Sequence, residues 1–139
     1  MTIQNELWTI LIVKVIYLIS LWADAKSDAV IDNKEGRSHG LEVLQHIHLG
    51  AAILLWFVDF NMMLWTVASY LIMRAGLFNP VYNHYRNGIG FNHLGDNFFD
   101  NLLRPILKFE KKNRFPALFI VYMIIGFFGL FLGFTDLFY

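Results

Sequence analysis

Hydrophobic positions along this chain gather into four long runs: ELWTILIVKVIYLISLWA (6–23), LEVLQHIHLGAAILLWFVDF (41–60), MMLWTVASYLIMRAGLF (62–78) and FPALFIVYMIIGFFGLFLGFTDLFY (115–139). Each is close to or above the ~17–25 residues a helix needs to cross a hydrocarbon layer of ~30 Å. Such a crossing has to be helical, because lipid offers no partner to open backbone N–H and C=O groups. Only the short turn DFNMM separates runs two and three, so those helices should be antiparallel neighbours. The pattern predicts an all-α polytopic membrane protein, a four-transmembrane-helix bundle forming one domain over residues 1–139. A soluble bundle of wholly buried helices is the competing expectation, and the lack of a polar linker between runs two and three counts against it.

The segment 79–114 follows a different pattern. Asn79-Pro80, Asn87-Gly88, Gly90 and Gly95 are turn chemistry, so irregular chain is expected after run three. Its aromatic residues Phe78, Tyr82, Tyr85 and Phe91 suit a segment packed at the membrane interface. Next, DNFFDNLLRPILKFEKKN (96–113) sets Phe98, Leu102, Ile106 and Phe109 at helical spacing against Asp100, Arg104, Lys108 and Lys111. This predicts an amphipathic helix lying in the membrane plane on the cytoplasmic face, kinked or shortened at Pro105.

Composition agrees with a lipid environment: 57% of residues are hydrophobic and only 16% charged. Net charge is +0, which leaves no global case for nucleic acid. The placement of charge says more. Of the 11 basic residues, all but Lys14 lie between runs one and two, at the end of run three, or between runs three and four. Four alternating crossings put those ten on one side, which the positive-inside rule makes cytoplasmic, with both termini outside. An integral protein of a bacterial inner membrane is the localisation expected. The start MTIQNELW lacks a basic n-region, so run one reads as a retained span, not a cleaved signal peptide.

The run LFNPVYNHYRNGIGFNHLGDNFFDNLL, together with WADAKSD followed by HGLE, resembles small uncharacterised membrane proteins of bacteria and their phages. That resemblance implies a polytopic membrane protein and carries no activity.

Candidate chemistry clusters at the cytoplasmic boundary. On a continuous second helix His39, Glu42 and His46 fall within about 60° of one another, and His48 points away. Asp24 and Asp28 form an i, i+4 pair at the end of helix one, and His93, Asp96 and Asp100 repeat i, i+3, i+7 spacing. Convergent carboxylates and imidazoles on helices are how bundles hold a divalent metal. The candidate ligands are His39, Glu42, His46, Asp24, Asp28, His93 and Asp96, and the candidate reacting groups are Asp24, Asp28, Glu42 and Arg74. A bound metal would supply Lewis-acid or bound-water chemistry to a lipid-borne or phosphate-bearing substrate, with Arg74 or Arg86 holding the anion. The plainer alternative is a polar rim at the headgroup level.

Two other features stand out. Lys14 lies mid-span, where a charge is costly unless it snorkels or is bonded; its partner is expected to be a carbonyl, a hydroxyl such as Tyr17, or water. Gly126, Gly129 and Gly133 give run four a small-residue face. That face packs either within the chain or against a second copy, and the second option would make the protein a non-enzymatic subunit, an oligomeric pore or an assembly partner. The chain has no cysteine, which excludes disulfides, thiolate chemistry and iron–sulfur clusters. No phosphate-cradling glycine motif or nucleophile elbow occurs, and a haem on His46 lacks a second histidine at matching depth.

Overall fold

The computed structural model of the chain describes residues 3–90, 92–132 and 134. Among them it is all-α. The helices are α1 (Ile3–Asp32), α2 (His39–Leu44), α3 (Ile47–Val58), α4 (Phe60–Tyr85), α5 (Phe98–Asn113) and α6 (Ala117–Phe131). α2 and α3 follow each other as one apolar rod, His39–Val58, interrupted by a turn at Gln45 and His46.

Two helices are long and apolar enough to cross a membrane, Gln4–Asp32 and His39–Val58, where four were expected. α4 has the length, but Asn61, Thr66, Ser69, Arg74 and Asn79 dilute its apolar character. α6 has the apolar character, but its 15 described residues rise only about 22 Å; the rest of the run ending at 139 lies largely outside the described residues. Much of the exterior is apolar: Phe57 is 81% and Leu54 69% exposed on α3, and Ile124 is 62% exposed on α6. Water would penalise such a surface, whereas lipid would not.

α1 and α4 form the spine, with α6 and α3 packed on α4. Ile10, Val13, Tyr17 and Leu21 of α1 meet Ala51 and Leu55 of α3 and Met62, Met63, Tyr70 and Met73 of α4 in one buried cluster. Asp59 alone joins α3 to α4. Its extended backbone ends one helix, and its Oδ1 accepts from Met62 N at 3.0 Å to cap the next.

Two helices overrun their expected ends. α1 continues past Ala23 because Ala23, Ala25 and Ala29 are wholly buried, so a helix-favouring stretch also gains packing. α4 continues through Asn79-Pro80, where irregular chain was expected. Pro80 removes one backbone hydrogen bond, but it is buried, and Asn79 and Asn83 beside it bond to Asp100 and to the His93 carbonyl. Pro105 likewise sits inside a 16-residue α5 and does not shorten it.

Lys14 is 2% exposed. Its ammonium donates to Ser69 Oγ, to Leu132 O at 2.6 Å and to Gly129 O at 3.4 Å. These carbonyls belong to the last turn of α6, which has no intrahelical donors left for them and carries the negative end of the helix dipole. The expected carbonyl and hydroxyl partners are both present, the hydroxyl being Ser69 and not Tyr17.

The glycine face of α6 is taken up within the chain. A Cβ on Gly76 of α4 would strike Gly126 N and lie 2.7 Å from Tyr122 O; one on Gly129 would strike Met73 N and lie 2.9 Å from Met73 Cγ. Gly126 and Gly129 thus let α4 and α6 meet backbone to backbone and do not form a free surface for a second copy. Gly133 lies outside the described residues.

Candidate functional site

Three adjoining cavities run around one end of the bundle, and α1 and α4 reach it because they overrun. The first is an open cleft between α1 and α2 of about 710 Å³, lined by Asp28, Arg37, His39, Glu42, Gln45 and His46. The second is a chamber of about 340 Å³ among α1, α4 and the start of α5, where Asp28, Asp32, Tyr82, Arg86, His93 and Asp100 meet. The third is a groove of about 500 Å³ between α4 and α5. Asp28 and Ile31 wall both cleft and chamber; Phe78, Asn79 and Asn97 wall both chamber and groove.

The expected ligand set therefore gathers only in part. Asp28, His39, Glu42 and His46 face one cleft, but Asp24 does not join them. Its Oδ2 accepts from Arg74 Nη2 at 2.7 Å and from Nε at 3.1 Å, and the guanidinium lies 4.3 Å from the centre of the Phe78 ring. His39 Nδ1 is 3.2 Å from Glu42 Oε2, with Arg37 at 4.0 Å from Oε1. His46 turns to Gln45, its Nε2 3.2 Å from Gln45 Nε2. The shared face required one continuous helix, and the turn after Leu44 removes His46 from it. The turn is held by its own polar groups: Ser20 Oγ donates to Gln45 O, and His48 Nδ1 stands 2.7 Å from Ser20 Oγ and 2.8 Å from Gln45 O. His48 stacks on Tyr70 with ring centres 4.4 Å apart, so it faces α1 and α4.

His93, Asp96 and Asp100 also separate. α5 begins at Phe98, so helical spacing does not apply to the first two. Asp96 points outward to Arg104 at 2.6 Å, and His93 edges the chamber. Asp100 is buried, accepting from Asn79 Nδ2 at 2.8 Å and Gly95 N at 2.9 Å. Among the described residues, no three His, Asp or Glu side chains converge closely enough to hold a metal ion.

Of the polar residues that meet in the chamber, Asp28, Arg86, His93 and Asp100 stand out in the sequence, and Asp32 and Tyr82 do not. Asp32 continues the i, i+4 series of Asp24 and Asp28, a signal that a longer α1 would have exposed. Tyr82 donates to the Asp32 carboxylate and accepts from Arg86, and Arg86 is 3.4 Å from Asp32. Burial, and next the hydrogen bond to Asp32, push the Tyr82 phenol above its usual pKa, so it stays a neutral donor at physiological pH. Asn79 also reaches Tyr122 Oη at 3.0 Å, tying the chamber wall to α6. The arrangement offers carboxylates, a phenol, amides and a guanidinium to a polar group of modest size.

No protein-family model, no curated protein and no solved structure matches this chain.

Proposed function

We propose that this is an integral membrane protein whose working site is the chamber bounded by Asp28, Asp32, Tyr82, Arg86 and Asp100, a seat for the polar head of a lipid-borne substrate. The reading treats α4 and α6 as further crossings beside α1 and the α2–α3 rod. α5 rests on the basic, cytoplasmic face of the bilayer. Support comes from the two helices of spanning length, the lipid-compatible exterior and the one-sided basic residues.

One observation carries it: the polar chamber adjoins, across the shared residues Phe78, Asn79 and Asn97, a groove whose lining is largely apolar. A free solute gains nothing from an apolar groove beside its pocket, whereas a molecule arriving within the bilayer does. Membrane extraction and native mass spectrometry of the purified chain test the reading. The expected result is a co-purifying lipid whose occupancy falls on Arg86→Ala or Asp32→Ala and is unchanged by Lys112→Ala at the exposed end of α5. Equal occupancy in all four proteins would refute it.

A further inference from the structure

The geometry points to an amine-bearing amphiphile as the ligand: its cationic head enters the chamber against Asp28, and its hydrocarbon chain leaves along the α4–α5 groove. This rests on the chamber being the working site and goes further by naming the class of molecule.

The head follows from which charges are already matched. Arg74 is held by Asp24, and Arg86 by Asp32 and Tyr82. Both guanidinium charges are thus already paired within the chain. Asp100 has both oxygens engaged by Asn79 and Gly95. Asp28 is exposed to the chamber and the cleft, and among the described residues it makes no hydrogen bond or ion pair. The unmatched charge is therefore a carboxylate, and its complement is a cation with N–H donors.

The chain of the ligand follows from the groove. Leu71, Ala75, Phe78, Phe98 and Phe99 make its apolar wall, with Arg74, Asn79 and Asn97 as its polar members, and Leu71 and Phe98 are 60% and 80% exposed. α5 seats Leu103 on Leu118 and Tyr122 of α6, which leaves the side toward α4 open. The groove thus lies between the chamber, with which it shares Phe78, Asn79 and Asn97, and the apolar exterior, and a molecule polar at one end and apolar at the other complements both.

Three probes added to the full chain in amphipol separate the parts: lysophosphatidylethanolamine, lysophosphatidylglycerol of the same acyl length, and phosphoethanolamine, which has the head without the chain. Titration followed by native mass spectrometry should show the first binding about tenfold or more tighter than either other probe. Asp28→Asn should abolish the preference between the two lysolipids. Ala75→Phe, or the milder Ala75→Leu if the first misfolds, should weaken both lysolipids and spare phosphoethanolamine. Equal or tighter binding of the glycerol head overturns the amine assignment. Phosphoethanolamine binding as tightly as the lysolipid, with Ala75 variants silent, overturns the groove yet leaves the chamber as a site. No binding of any probe, with Arg86→Ala silent in the lipid-occupancy assay, overturns both readings.

Discussion

Lys14 and Asp28 sit on nearly the same face of α1, about 21 Å apart along its axis, and they are treated in opposite ways. Lys14 is buried and bonded to Ser69 and two carbonyls of α6. Asp28 is exposed beside two cavities and, among the described residues, makes no hydrogen bond. A polar group whose bonding capacity is consumed by its own fold stabilises that fold; one left with capacity at a cavity is available to a ligand. The conspicuous mid-span charge is thus structural, and the inconspicuous aspartate at the helix end is the functional candidate.

The largest expected effect is at Lys14. Lys14→Ala leaves Leu132 O without its donor, Gly129 O keeping only Ser69 Oγ, and opens a void, so the stability should fall by roughly 3 kcal/mol, measured by denaturant titration in detergent. Next comes the α4–α6 contact. Gly76→Ala drives a methyl into the Gly126 backbone and should cost roughly 1–3 kcal/mol. Gly126→Ala should cost less in the same assay, because it meets only the movable Leu77 side chain. Smaller again is the half-exposed Arg74–Asp24 pair: a double-mutant cycle should give a coupling of about 1 kcal/mol that shrinks with added salt. Smallest is Asp28→Asn, expected to leave unfolding within about 0.5 kcal/mol of the parent while altering ligand binding. A destabilisation by Asp28→Asn as large as that by Lys14→Ala would erase the contrast between the two ends of α1.

The helical class, the amphipathic 98–113 segment and the partner types of Lys14 were legible because each rests on local periodicity or on the cost of a buried charge. The ends of α1 and α4 were not. Alanines after residue 23 and the Asn79-Pro80 pair resemble breaks until tertiary packing on Ala25, Ala29 and Pro80 overrides them. The candidate site inherited those errors. Asp32, Tyr82 and Asn83 read as loop residues from sequence, and His46 reads as part of a continuous helix that the Ser20–Gln45–His48 contacts interrupt. Asp100 shares its sequence spacing with His93 and Asp96, which lie before the helix begins, where a 3.6-residue period has no meaning.

Pro80 has a mechanical consequence. With no amide hydrogen at this position, the turn of α4 between Gly76 and Pro80 lacks one of the ties that stiffen a helix. Below the gap Gly76 is pinned against Gly126; above it stand Tyr82, Asn83 and Arg86, which wall the chamber. Any bending of α4 that changed the width of the site's mouth would fall at this turn, between the clamped shaft and the short lever above it.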